Sequence, residues 1–284
     1  MSLITTRVRR DLARIDHPEI QAGMSDIHRL RPLVPPGDWA GSDPFLLLVE
    51  DWFPEAVFDR HPHRGIETVT YVIEGAIEHY DNHGNKGRLN PGDVQWLTAG
   101  RGLIHNELPA DGREAHILQL WVNLPSADKL VRARHQHLRA DAVPVRREHG
   151  AEVRVFSGSS GGVTSPTQNY APVTMVEICL QPGAPIEQDL PAGYNGFIVM
   201  VEGSGAVGVS GTVIGRGDVA WLTPSAEPST VTLIGGDQGL RALLFAGKPL
   251  REPVAARGPF VMNTDAELAA GFAEFRAQGE RFGL

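Results

Sequence analysis

Two short residue pairs carry the most legible chemistry in this chain: His61-Pro62-His63 and His105-Asn106-Glu107. On a β-strand, residues i and i+2 point to the same face with side chains about 6.5–7 Å apart. Each pair therefore presents two metal-binding groups on one side of its strand. Neutral imidazoles and a carboxylate suit iron, manganese, nickel, copper or zinc. One HxH is weak evidence by itself. Two ligand-type pairs, with His63 and His105 42 residues apart, point to facing strands that converge on a single ion.

The other reactive side chains read more plainly. His135 and His137 form another HxH, but they sit among Arg132, Arg134 and Arg139 with no carboxylate or imidazole pair to complete a site, and they read as solvated surface. His79 and His83 flank a turn and read as exposed, with a place for His79 near the mouth of the fold, whereas His116 can face either way. Cys179 lies in an apolar stretch and reads as a small buried hydrophobe rather than a nucleophile. The Arg146-Arg147 pair is too short for a nucleic-acid patch.

The elements that position these groups are strands. The 32 glycines and 21 prolines fall at short intervals between apolar runs, which suits many short strands better than helices. Candidate strands are 45–49, 67–73, 76–80, 93–98, 116–122, 153–156, 173–179, 197–201, 218–222 and 240–245. Two blocks repeat. Tyr71-Val72-Ile73-Glu74-Gly75 answers Val199-Met200-Val201-Glu202-Gly203 at an offset of 128, and Gly92-Asp93-Val94-Gln95-Trp96-Leu97-Thr98 answers Gly217-Asp218-Val219-Ala220-Trp221-Leu222-Thr223 at 125. A strand–turn–strand repeat of this length reads as a duplicated β-domain, joined in or just before the Gly/Ser-rich stretch 157–167. The expected division is 1–150 for an N-terminal barrel and 151–284 for a C-terminal barrel with a terminal helix. That helix is announced by Thr264-Asp265-Ala266-Glu267, a capping box, followed by Leu268, Phe272 and Phe275 on one face. A second short helix or loop is expected over 127–139.

Composition bounds the function. At 42% apolar and 21% charged residues the chain is globular, and its net charge of −8 argues against broad nucleic-acid affinity. The single cysteine excludes a disulfide framework and any multi-thiolate zinc site. No apolar run approaches the ~18 residues that cross a bilayer, and the N-terminal residues lack an apolar leader core, so a cytoplasmic protein is expected.

At this point the chain resembles a known family. HPHRGIETVTYVIEG, the turn DNHGN, PGDVQWLTAGRGLIHNE and LQLWVNLP are similar to the signature blocks of the pirins, a branch of the cupin superfamily. So are the late segments Gly247-Lys248-Pro249-Leu250-Arg251-Glu252-Pro253 and Gly258-Pro259-Phe260-Val261-Met262-Asn263-Thr264. The resemblance implies an all-β fold of two tandem cupin (jelly-roll type) barrels with one mononuclear metal, held by His61, His63, His105 and Glu107. The general cupin pattern would place a glutamate seven residues before Gly75, where this chain has Thr68; Glu67 is one residue off, so Glu107 is the natural carboxylate and Glu67 reads as structural. Carried through the repeat offsets, the ligand positions become Asp189, Pro191, Thr230 and Thr232, so the second barrel is expected to be degenerate.

The resemblance further implies a metal-dependent dioxygenase of flavonol (quercetin 2,3-dioxygenase) type, an oxidoreductase acting on a small aromatic substrate and O2. The expected cofactor is one divalent transition metal per chain, iron(II) first, with manganese, nickel, copper and zinc as alternatives, and Glu107 is the expected catalytic base. The alternative it implies is a non-enzymatic iron-binding regulator that binds a protein partner in a redox-dependent way. Arg132, Arg134, Arg139, Arg146 and Arg147 are a candidate docking stripe for such a partner, with a solvated face the expected reading. Neither nucleic acid nor membrane is an expected partner.

Overall fold

The computed structural model describes residues 7–284. The fold is all-β, two jelly-roll-type barrels with one short helix near the C-terminus. Two compact units are resolved. One combines Glu19–Ala142 with Leu250–Leu284; the other combines the described residues up to Pro18 with Val143–Pro249. The grouping differs from the expected division 1–150 and 151–284 because each terminal segment leaves its half of the sequence. Leu12–Asp16 pairs with Val219–Leu222, adding an edge strand to the later barrel. The terminal helix packs with the earlier one.

In the first unit a seven-stranded antiparallel sheet runs in the order 134–138, 94–98, 66–74, 115–123, 45–53, 29–34, 21–22, and a four-stranded sheet runs 61–63, 103–109, 77–81, 86–89. Ile66–Glu74 is central and buried except at Glu74, and apart from its two glutamates it is apolar or threonine on both faces. The stretch 127–139 is not a helix: after one 3-10 turn, Ser126–Asp128, it forms the strand Arg134–Leu138, which pairs with Val94–Thr98.

The repeat is visible in backbone detail. Gly92 N–H donates to the Val72 carbonyl at 2.8 Å and Val72 N–H to the Asp93 carbonyl at 3.1 Å; Gly217 to Met200 and Met200 to Asp218 repeat this at 2.8 and 3.2 Å. Gly75 and Gly203 adopt φ of 73° and 69°. A Cβ there would sit 2.3 Å from the Glu114 carbonyl oxygen and 2.2 Å from that of Gly239, so glycine is required twice for the same turn.

Asp265–Gln278 is the helix, with Thr264 as N-cap and both capping-box bonds formed. Its buried Leu268 and half-buried Phe272 and Phe275 pack on Ile104, Phe260, Met262 and Phe282. The strand Phe260–Met262 in turn braces the start of the barrel: Arg64 N–H donates to the Pro259 carbonyl at 3.3 Å and Val261 N–H to the Arg64 carbonyl at 3.0 Å. Lys129, 2% exposed, ties the same region together. Its three N–H donors match the Gly65, Asn123 and Val261 side-chain or backbone carbonyl oxygens at 2.8, 2.5 and 3.1 Å.

The second unit is built on a ten-stranded sheet. Its core is apolar, with Val153, Val155, Ile178, Ile198, Ala220 and Leu244 all at 0% exposure.

Candidate metal centre

The strand Leu103–Pro109 lies between His61–His63 and Ile77–Asp81, antiparallel to both. Register places His105 opposite His61 and Asp81, and Glu107 opposite His79. Because side chains alternate along each strand, His61, His63, His79, His105 and Glu107 share one face. His63 and His105 are fully buried, Glu107 is 3% exposed and His61 is half-buried. The rings of His61, His63 and His105 form a triangle with centroid separations of 4.8, 4.7 and 5.0 Å. One ligand atom from each lies within 4.8 Å of the others, and His79, His105 and Glu107 form a second such trio.

Hydrogen bonding separates the two trios. His61 Nδ1 faces the Asp59 carbonyl oxygen at 2.8 Å and must carry its proton there, so Nε2 presents its lone pair 3.0 Å from His63 Nε2. Neither ring nitrogen of His105 has a hydrogen-bond partner among the described residues, although both are buried. Such orphaned nitrogens are costly unless something else binds them. His79 is the opposite case: Nδ1 lies 3.3 Å from Gln95 Nε2 and Nε2 lies 3.4 Å from Asp81 Oδ2, so both nitrogens are engaged.

Glu107 accepts three hydrogen bonds. Thr70 Oγ1 and Gln95 Nε2 donate to Oε1 at 3.0 and 2.9 Å, and Gln119 Nε2 donates to Oε2 at 3.1 Å. The three donors form one row: Gln95 and Gln119 are both register partners of Thr70 on flanking strands. Oε1 is filled by its two donors, and Oε2 keeps a lone pair free. Burial raises the Glu107 carboxyl, partly offset by His79 and the Thr70 hydrogen bond. Burial, then the neighbouring imidazoles, hold His63 and His105 well below the ordinary histidine range, in the neutral form that binds metals. The donor set therefore fits a divalent transition metal: His61, His63 and His105 form one group of ligand-type atoms and His79, His105 and Glu107 the other, with His79 the member whose two nitrogens are already engaged.

The remaining expectations divide. His79, read as exposed, is fully buried, because its strand puts it on the inner face beside His105 at 5.4 Å between ring centroids. His135, read as solvated, is half-buried: it stacks on His79 at 5.1 Å and 17°, and its Nε2 lies 3.0 Å from Gln95 Oε1. His137 is exposed and meets Asp93 at 3.2 Å, and His83 is half-buried over the Gly102 carbonyl at 3.2 Å. His116 points away from the centre to Glu50, at 2.8 Å, and stacks on Trp52. Glu67 faces the opposite side of its strand from Thr70 and accepts from Thr98 Oγ1 at 2.7 Å, a structural role. Cys179 is half-buried, and burial pushes its thiol up to about 12, which disfavours the nucleophilic thiolate. Of the arginines read as a docking stripe, Arg139 pairs with Asp141, Arg146 with Glu148 and Arg147 with Glu152.

Sequence reasoning missed Thr70, Gln95 and Gln119. The signal was a polar residue on the inward parity of strands otherwise apolar. In the second unit the register row equivalent to Gln95–Thr70 is Ala220–Ile198, extended by Leu244, all buried in the core. Among the described residues, no trio of ligand-type side chains gathers in that unit, where Asp189 accepts from Gly161 N–H and pairs with Arg7.

Comparison with known proteins adds the following. The Pirin family model matches residues 38–122, and the model for the pirin C-terminal cupin domain matches 175–283. Pirin-like protein 2 of Arabidopsis thaliana is 42% identical over 231 residues, covering 80% of this chain and 72% of the relative. The crystal structure of GK1651 from Geobacillus kaustophilus is 48% identical with a TM-score of 0.85, covering 88% of this chain and all (100%) of that one. A structure titled quercetin 2,3-dioxygenase from Acinetobacter baumannii is 28% identical with a TM-score of 0.84, covering 98% and 100%. No helix among the described residues is long and apolar enough to cross a membrane.

Proposed function

Since this chain belongs to the pirin family, we propose that it is a metal-dependent dioxygenase of flavonol type, working at His61, His63, His105 and Glu107. The observation that carries the reading is the buried donor set itself, above all His105 with both ring nitrogens unengaged among the described residues. The likeness to the Acinetobacter baumannii quercetin 2,3-dioxygenase supports the choice of reaction.

A divalent ion held there, iron(II) in this proposal, supplies Lewis acidity and open positions for substrate and dioxygen. The chain's own residues do the rest. The Asp59 carbonyl fixes the His61 tautomer, so that Nε2 is aimed into the cluster. Thr70, Gln95 and Gln119 hold the Glu107 carboxylate in one orientation. Glu107 is the proposed base: Oε2, which has one donor where Oε1 has two, takes the proton of the flavonol hydroxyl on the lone pair that would otherwise hold the ion. Flavonol and O2 are consumed together, and the balanced products are a depside and carbon monoxide.

The test is oxygen uptake with carbon monoxide detection on iron-loaded protein given quercetin. One carbon monoxide per oxygen consumed, abolished in His63→Ala, is the expected result. Iron-loaded protein that turns over no flavonol would remove the assignment, and Glu107→Gln keeping both its metal and full turnover would remove the base.

A further inference from the structure

We propose that Gln95 is a positioning residue that selects the ligand set, holding His79 away from the ion while it fixes Glu107. The inference rests on the metal-site reading above. His61, His63, His79, His105 and Glu107 offer five ligand-type side chains around one space, and they form two overlapping trios that share His105. Something must decide which trio receives the ion.

The hydrogen bonds make the decision stepwise. A carboxylate can only accept, so the Gln95 atom 2.9 Å from Glu107 Oε1 is its amide nitrogen. The second proton on that nitrogen faces His79 Nδ1 at 3.3 Å, which must then be the lone-pair nitrogen. The His79 proton is left on Nε2, toward Asp81 Oδ2. At the other end, Gln95 Oε1 faces His135 Nε2 at 3.0 Å, which must carry a proton. Burial lowers His135 to about 4, so near neutral pH it is the neutral ring with one proton to give. His135 thereby prevents the amide from flipping, and its stacking on His79 at 17° holds the second ring in place. With Gln95 gone, His79 Nδ1 has a free lone pair beside His105 and Glu107. In the second barrel the matching position is Ala220, and among the described residues no ligand set is there to select.

The test uses cobalt(II) as a spectroscopic probe of the full chain, with affinity from titration and geometry from the visible spectrum. Wild type and His79→Ala should share a spectrum and agree in Kd within about threefold, because His79 is outside the set. Gln95→Met should weaken binding by about 10- to 100-fold, the usual cost of losing a group that orients a ligand, and should change the spectrum. Adding His79→Ala to Gln95→Met should return the spectrum to the wild-type form, which a merely structural defect would not do. His135→Phe, at a half-exposed position, keeps the stack but frees the amide, and should shift the spectrum in the same direction by less. It serves if Gln95→Met does not fold.

A wild-type spectrum in both Gln95→Met and His135→Phe, a changed one in His79→Ala alone, or no reversal in the double variant overturns the selection. Wild type that binds no cobalt, or His105→Ala that still binds it, overturns the metal-site reading and the selection with it. Cobalt bound by wild type and lost in His105→Ala, with Gln95→Met unchanged, overturns the selection alone.

Discussion

Phe260→Ala tests how the terminal helix supports the metal centre. Phe260 is fully buried; its ring stacks on Phe272 at 4.5 Å and on Phe282 at 5.4 Å and meets the edge of Phe275 at 6.1 Å. Truncating a buried phenylalanine costs about 3–5 kcal/mol, depending on how far the cavity collapses. Here three aromatic partners and the backbone of a helix that approaches at Gly271, where a Cβ would be 3.3 Å from the Phe260 ring, leave little room for collapse. The upper end, about 5 kcal/mol, is expected, against about 2 kcal/mol for the half-buried Phe275→Ala. The assay is urea unfolding of the metal-free protein followed by circular dichroism. Because Pro259 and Val261, the two neighbours of Phe260, bond to the N–H and the carbonyl of Arg64, next to His63, the same variant should also bind metal more weakly. A loss below about 1.5 kcal/mol with unchanged metal affinity would refute the bracing argument.

Lys129→Ala takes a donor from each of three buried carbonyl oxygens that now share one ammonium, leaving that of Gly65 only the Leu124 N–H at 3.4 Å. At about 1 kcal/mol each, the expected loss is about 3 kcal/mol in urea unfolding, and a loss under about 1 kcal/mol would contradict it. His135 carries a pH signature. Its folded pKa is lowered from 6.5 to about 4 by burial and then by His79, so between those values the unfolded chain binds more protons than the folded one. Its contribution to stability should therefore be flat above pH 6.5 and fall as pH drops toward 4; His135→Phe should flatten that part of the acid limb, and an equally acid-sensitive variant would contradict the assignment.

Much of this was legible in the residues, for identifiable reasons. The i, i+2 pairs survived because strand alternation fixes which side chains share a face, and the duplicated Gly92 and Gly217 turns survived because their backbone needs are local. The capping box of the terminal helix is equally local. The place of that helix was not legible, because its partners Ile104 and Phe260 lie far apart in sequence. Nor was the burial of His79 and His135: a histidine beside a turn has the same neighbours in sequence whether the strand turns it in or out. The Gln95–Thr70–Gln119 row depends on register among three strands, which no single stretch of the chain encodes.

The most direct test of the central claim is the number of ions per chain, measured by elemental analysis of iron-loaded protein alongside His105→Ala and Asp189→Ala. One ion in wild type, lost in His105→Ala and kept in Asp189→Ala, is the predicted result. Two ions per chain, or an ion retained without His105, would contradict it.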